Sequence, residues 1–343
     1  MTEQKSILIT GCAGFIGGYL VQELLEDGWR VVGLDNLSKY GRVKRSFDNH
    51  PYYDFHEGDA KDIELLKTLL VGCDYLLAGA AMIGGIGYFH TFAYDLMAEN
   101  ERIMASTFDA AIKAFKSGGL KKIIVLSSSM VFESTDTFPT PEGAQLISPP
   151  PHSSYGFQKL ACEYFALAAF EQHHLPYTIV RPFNCVGIGE RAALCDEKSD
   201  SGNITLAMSH VLPDLVQKAL KGQDPLHILG DGRQIRHYTY GGDLASAIRI
   251  AIDHPAAVNE DFNISSPVST TVLELAEMVW NKVNPGKPFR YVSNPPFEHD
   301  VRRRIPDTTK SQELLNIEIS TPLPEVLDEV IPWIKEQTQQ GHM

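Results

Sequence analysis

The run Thr10-Gly11-Cys12-Ala13-Gly14-Phe15-Ile16-Gly17-Gly18 constrains this chain more than any other segment. It follows a short β-rich apolar stretch, SILIT at 6–10, and leads into a helical pattern through Leu20, Leu24 and Leu25 that stops near Asp27-Gly28. A second buried strand, RVVGLD at 30–35, comes next. Strand, glycine turn, helix and strand make a βαβ unit. Glycine permits the tight turn and lets backbone N–H groups approach a pyrophosphate, and the helix N-terminus adds a favourable dipole. Asp35 closes the second strand. An acidic residue there accepts hydrogen bonds from both ribose hydroxyls and repels a 2′-phosphate, so NAD is expected rather than NADP.

Further strands are expected at 53–56, 74–78, 121–127 and 177–181, alternating with helices near 61–71, 95–117 and 155–173. This alternation predicts α/β architecture: a doubly wound parallel (Rossmann) sheet covered on both faces, joined by right-handed crossovers. The texture changes after Arg181. Residues 186–204 are rich in Gly, Asp, Glu and Ser and read as a long loop. A helix over 206–221, strands at 226–229 and 236–240 and a helix over 242–253 should follow. The expected division is an NAD-binding domain over 1–184, to which 236–265 and the C-terminal helix return. A smaller C-terminal substrate lobe is expected from 185–235 and 266–310.

Thirty Lys and Arg against 43 Asp and Glu give the 343 residues a net charge of −13. That excludes a general nucleic-acid binder, which presents a basic surface. It leaves an anionic substrate open, because a few local arginines overcome a diffuse negative field. The five cysteines (12, 73, 162, 185 and 195) are scattered and form no CxxC pair. No zinc site, other metal site or disulfide framework is expected, only free thiols in a reducing cytoplasm. No secretory signal and no membrane span are expected, since there is no apolar run of about 20 residues.

The strand at 121–127 ends in Ser127-Ser128-Ser129-Met130-Val131-Phe132, and Tyr155-Gly156-Phe157-Gln158-Lys159 lies downstream. Residues four apart on a helix share a face, so Tyr155 and Lys159 point the same way. A nearby ammonium favours the tyrosinate, which can take a proton from a sugar hydroxyl while hydride leaves the same carbon. Ser128 can hydrogen-bond that hydroxyl. Taken alone, YxxxK describes any half-exposed helix face; behind a dinucleotide loop and a serine-rich strand end it reads as chemistry.

TGCAGFIGG, Asp35, the SSS strand end, YGFQK, RPFN (181–184) and GDGRQIRHYTYGGDLA (230–245) together resemble the extended short-chain dehydrogenase/reductase family, in its nucleotide-sugar epimerase/dehydratase group. The likeness runs from about residue 6 to 335. It implies Ser128, Tyr155 and Lys159 as the catalytic triad. It implies Gly11, Gly14, Phe15, Ile16, Gly17, Asp35 and Asn36 at the NAD loop and ribose, Asp59 at the adenine, and Ala78, Ala80, Ala81, Asn100 and Pro182 lining the cofactor. Asn184, Arg236 and Arg304 fall where the family holds the nucleotide diphosphate, a task that suits the planar guanidinium fork. Gly85, Ser129, Met130 and His210 complete the expected substrate contacts.

Sugar 4,6-dehydratases carry Thr-Asp-Glu at the strand end, where this chain has Ser128-Ser129-Met130. The acid and base of dehydration are therefore missing. AAMIGGIGY (80–88) and SHVLP (209–213) resemble GDP-mannose 3,5-epimerase and GDP-fucose synthase, which have a cysteine in place of Met130. A thioether cannot abstract a proton from carbon. His210 stays open between acid–base work, substrate binding and simple capping or packing, and Glu133 and Cys185 stay unassigned.

The expected activity is NAD-dependent epimerisation of a nucleotide-diphosphate hexose at C4. The alternatives are epimerisation at C3 or C5 with His210 as acid/base, and decarboxylation of a nucleotide uronate. The resemblance also implies a homodimer through the helices near 99–117 and 155–173, with Leu160, Phe165 and Ala169 as apolar positions that fit either an interface or burial within one chain. The acidic stretch Cys195–Asp200 reads as either a solvated loop or a lid.

Overall fold

The computed structural model describes residues 4–83, 92–191, 198–201, 204–207, 210–296 and 301–343. The first half builds β1 (Ser6–Thr10), α1 (Phe15–Glu26), β2 (Arg30–Asp35), β3 (Tyr53–Glu57), α2 (Ile63–Leu69), β4 (Tyr75–Ala78), α3 (Ala93–Lys116), β5 (Lys122–Leu126), α4 (Ser154–His173) and β6 (Tyr177–Pro182). The second half adds β7 (Cys185–Val186), β8 (Lys198–Ser201), β9 (Ile204–Ala207), α5 (Val211–Leu220), β10 (Leu226–Leu229), β11 (Ile235–Arg236), β12 (Thr239–Tyr240), α6 (Gly241–Asp253) and β13 (Glu260–Ile264). It closes with β14 (Thr270–Thr271), α7 (Val272–Val283), β15 (Tyr291–Asn294), α8 (Thr309–Leu315) and α9 (Leu323–Gln339).

Seven strands form one parallel sheet in the order β13-β6-β5-β4-β1-β2-β3. β1 lies inside it with all five residues buried, as its unbroken apolar run requires. The chain leaves β1 towards β2 and later returns to β4 on its other side. The reversal opens a crevice at the carboxyl ends of β1 and β4, where such sheets bind ligands. One sheet face is covered by α1 and α6, through Leu20, Leu24, Leu244 and Ile248 among others. The other is covered by α2, α3 and α4, through Leu66, Met104, Phe108, Cys162 and Ala166.

A third core joins Leu212, Leu215 and Val216 of α5 to Leu275, Val279 and Trp280 of α7 and to Val326, Leu327, Val330 and Ile334 of α9. The C-terminal helix therefore packs mainly with the smaller lobe, while its Glu329 also reaches Tyr240 of β12. The physical reason is vacancy: α1 and α6 already cover the sheet face, whereas α5 and α7 leave an apolar face for the 326/327/330/334 stripe.

The helix expected over 206–221 begins only at Val211, and 204–207 instead pair antiparallel with 198–201. Pro213 accounts for the late start. It has no N–H to donate and is tolerated in a first turn, where N–H groups lack intrahelical partners. The single strand expected at 236–240 splits into β11 and β12, which pair with β14 and β7.

Under the carboxyl end of β5 lies a buried ionic network. Arg181 is fully buried; its Nε and Nη2 reach the Glu163 carboxylate at 2.7 and 2.8 Å, and Nη2 also reaches Asp261 at 2.7 Å. Ser127 Oγ donates to Glu163 at 2.5 Å. This ties α4, which carries Tyr155 and Lys159, to β5, β6 and β13. Breaking such a pair is far costlier than its net contribution, because it leaves an unpartnered buried charge.

The described cysteines 12, 73, 162 and 185 are free thiols. Burial pushes the Cys12 thiol up to about 12 and those of Cys73 and Cys162 to about 11, so none is a ready nucleophile. Among the described residues no group of His, Cys, Asp and Glu could hold a metal ion, and no helix is long and apolar enough to cross a membrane. Gly85 and Cys195–Glu197 lie outside the described residues.

Candidate active site

A cleft of about 1220 Å³ runs along the carboxyl ends of the strands and into the smaller lobe. Its floor at one end is the glycine turn. Gly11 sits at φ +77°, and a Cβ there would lie 2.9 Å from backbone atoms of Ala80. A Cβ on Gly17 would lie 2.2 Å from the Gly11 carbonyl oxygen. The turn is thus closed against both β4 and its own helix. Gly14 caps α1 with no side-chain acceptor, so the first-turn N–H groups of Phe15, Ile16 and Gly17 meet no capping side chain at the cleft wall. This cradle fits a dinucleotide pyrophosphate: it offers unpartnered donors, a helix dipole and no side chain in the way.

Asp35 lies at the same end, but its carboxylate does more than await a ribose. Oδ2 accepts from Ala13 N–H at 3.0 Å and Oδ1 from Leu37 N–H at 2.8 Å, so Asp35 also braces the turn. Burial raises its pKa and these two hydrogen bonds oppose the rise. Each oxygen keeps lone-pair capacity for a hydroxyl.

At the far side of the crevice Ser153 caps α4, its Oγ accepting from Gly156 N–H at 3.0 Å. Tyr155 and Lys159 project from this helix into the cleft and are only 6% and 5% exposed. Lys159 Nζ donates to the Leu126 carbonyl at 2.8 Å, which pins the ammonium at the end of β5. Ser128 Oγ accepts from Met130 N–H at 3.2 Å, so its own proton is available to a ligand. Met130 packs with Tyr155 and Leu96, with Met82, Ile83, Phe92 and Val301 around them. The phenol is therefore set in an apolar wall, where charge interactions are strengthened.

Of the residues expected at the site, the cleft brings together Gly11, Gly14, Phe15, Ile16, Gly17, Asp35, Asn36, Asp59, Ala80, Ala81, Ser128, Ser129, Met130, Tyr155, Lys159, Pro182, Asn184, His210, Arg236 and Arg304. Two expected cofactor contacts do not reach its surface. Ala78 is a core residue of β4, 1% exposed and paired between Thr10 and Val125. Asn100 is buried on α3 and spends its amide on the wall itself: Oδ1 accepts from Met82 N–H at 2.6 Å and Nδ2 donates to Met82 O at 3.0 Å.

In the lobe half of the cleft, Asn184 stands at φ +40°. Its Oδ1 accepts from Arg304 at 3.4 Å and its Nδ2 donates to His237 O at 3.3 Å. Arg236 is 8% exposed and faces the same space. Two guanidiniums thus converge in a chain that is acidic overall.

Of two carboxylates at the cleft, the sequence leaves Glu133 without a role and gives no sign of Glu190. Glu133 Oε2 accepts from Ser153 N–H and Oγ at 2.9 and 2.8 Å, holding the start of α4. Glu190 is buried and hydrogen-bonded to Nδ1 of His210. A single glutamate in a glycine-rich loop carries no periodic or motif signal, so only its partner reveals it.

A doubly wound sheet with this turn, and with a tyrosine and lysine one helical turn apart facing the same crevice, defines an enzyme of the extended short-chain dehydrogenase/reductase type. The chain belongs to the NAD dependent epimerase/dehydratase family, whose family model matches residues 7–265. It is 26% identical over 344 residues to the UDP-glucose 4-epimerase of Mycolicibacterium smegmatis, covering 97% of this chain and 99% of that one. It is 29% identical to the probable GDP-L-fucose synthase 1 of Oryza sativa subsp. japonica, covering 96% and 92%. Among solved structures, the UDP-glucose 4-epimerase of Thermotoga maritima with UDP-glucose superposes with a TM-score of 0.78 at 28% identity, covering 97% and 99%.

Proposed function

We propose that this protein is an NAD-dependent nucleotide-sugar epimerase that inverts C4 of a nucleoside-diphosphate hexose. The observation that carries the reading is that Tyr155 and Lys159 share one cleft with the glycine turn and with Arg236 and Arg304. NAD, held by the turn and by Asp35, supplies reversible oxidation of the sugar carbon. Tyr155 takes the proton of the C4 hydroxyl and later returns it. The Lys159 ammonium stabilises the phenolate, and Ser128 donates to the same oxygen. Arg236 and Arg304 grip the diphosphate, so that the sugar can turn over while its handle stays fixed. The smaller lobe, over 185–235 and 266–310, contributes Arg304 to that grip, and Arg236 stands where the chain crosses back to the NAD-binding domain; a cleft this large leaves room for the turn.

UDP-hexoses are the first substrates to test, since the relatives include UDP-glucose 4-epimerases. The protein works as a homodimer through α3 and α4. Leu160, Phe165 and Ala169 pack within the chain, and the apolar residues that α4 presents outward are instead Phe157, Tyr164 and Leu167.

The purified protein is expected to carry NAD and to interconvert one sugar nucleotide and its C4 epimer without added reductant. Mass spectrometry of what co-purifies, then a panel of UDP-, GDP-, CDP- and dTDP-sugars followed by proton NMR, checks this. Release of carbon dioxide from a uronate nucleotide, or solvent deuterium at C3 or C5 of product, would replace the C4 reading with another.

A further inference from the structure

His210 stands immediately before α5 as its cap, yet its side chain makes no capping hydrogen bond. The imidazole lines the cleft and is 47% exposed, while the Glu190 side chain behind it is 8% exposed. Glu190 Oε1 bonds Nδ1 of that ring, and the carboxylate also takes the backbone N–H of His210. Two bonds from one buried carboxylate to one residue fix both where the ring starts and how it is turned.

Among the described residues, the groups that act on this pair are these. Lys39 comes from the loop after β2, the same loop that follows Asp35. Cys185 lies beside Glu190 and burial keeps it protonated. Asp214, one turn along α5, is occupied by Lys218 at 2.6 Å. Burial alone would push the Glu190 carboxyl up; the charged form of the His210 ring, its hydrogen bond and Lys39 more than reverse this and hold it below the usual range. An ionised carboxylate only accepts, so the proton between the two groups belongs to Nδ1.

We propose that Glu190 is the positioning residue of His210: it fixes the ring as the Nδ1–H tautomer, so that Nε2, on the opposite edge, accepts a hydrogen bond from a hydroxyl of the bound nucleotide sugar. A neutral imidazole has one donor and one acceptor nitrogen, and the hydrogen bond made by one sets the role of the other. Glu190 thereby decides that His210 meets its ligand as an acceptor. Only the identity of the ligand rests on the epimerase reading; the tautomer does not.

Side-chain nitrogen NMR on the full-length, NAD-holding protein with 15N-labelled histidine tests this, with the pH raised until the His210 ring carries a single proton. The His210 signals are identified by their loss in His210→Gln. The expected result is a protonated Nδ1 and an unprotonated Nε2, with the Nε2 signal moving when UDP-glucose is added. In Glu190→Leu the balance is expected to pass to the Nε2–H form. In Glu190→Gln, whose amide oxygen still accepts, the Nδ1–H form should persist. Loss of the oriented imidazole in Glu190→Leu is expected to lower kcat/KM on UDP-glucose by about tenfold or more.

A protonated Nε2 in the unsubstituted protein would overturn the proposal, with no variant needed. So would an unchanged tautomer in Glu190→Leu. If the tautomer behaves as expected but no sugar nucleotide is turned over, the epimerase reading fails and the Glu190–His210 assignment stands.

Discussion

Tyr155→Phe is expected to lower turnover by about 10²–10⁴-fold while the protein keeps its NAD. That range corresponds to about 3–5 kcal/mol of barrier. The substitution is clean because it removes one oxygen and nothing else. The ring stays between Leu96 and Met130 in its apolar cluster. Lys159 does not depend on the phenol for its place, since its Nζ is held by the Leu126 carbonyl. The glycine turn lies on a different element, so cofactor retention should be untouched. Proton NMR of the sugar-nucleotide mixture measures the first expectation, and NAD released on denaturation measures the second. Full turnover in Tyr155→Phe would remove this residue from the chemistry.

Gly17→Ala is expected to have an effect of comparable size on the cofactor. The added methyl would stand 2.2 Å from the Gly11 carbonyl oxygen, far inside contact distance, and it would meet backbone atoms and not the yielding end of a side chain. Nor can Gly11 readily retreat. Its N–H is bonded to Leu34 O at 2.8 Å, and even a Cβ on it would lie 2.9 Å from the Ala80 backbone. The turn itself must open, which misaligns the first-turn N–H groups of α1. The variant should purify without NAD and bind added NAD about 100-fold more weakly. Its melting temperature should no longer rise with NAD concentration, because a ligand stabilises only in proportion to its binding. Gly119→Ala is the control: its methyl would find its nearest neighbour at 3.6 Å, an ordinary contact, at a site remote from the cleft. NAD at one equivalent in purified Gly17→Ala would contradict this account of the turn.

What could be read in advance was what short-range pattern specifies. The βαβ unit announces itself because SILIT, GCAGFIGG and RVVGLD are each local signals, and strand and helix have different apolar periods. Strand β13 was not legible. Its sequence, EDFNI, opens on two acids, and its burial is created by Arg181 pairing with Asp261 and by α6 and α8 closing over Phe262 and Ile264. The C-terminal helix shows the same limit in another form. Its 326/327/330/334 stripe says that it needs a core, but not which one, and the choice falls to whichever surface is uncovered.

Within the site, residue types carried the chemistry and only geometry carried the partnerships. Asp35 was expected at the ribose, and its two bonds to its own turn were invisible from spacing. Asn100 was expected against the cofactor, but it holds both polar groups of the Met82 backbone. An asparagine on a helix has no sequence mark that separates these uses. Glu190 and His210 are 20 residues apart in sequence, and only the fold brings them together.

The central claim is that the sugar is oxidised and reduced at one carbon by a cofactor that never leaves. UDP-glucose carrying deuterium at C4, incubated with the protein as purified in ordinary water, tests it most directly. The account predicts UDP-galactose with the deuterium still at C4. A product epimerised at C4 that has lost its deuterium to water would contradict it.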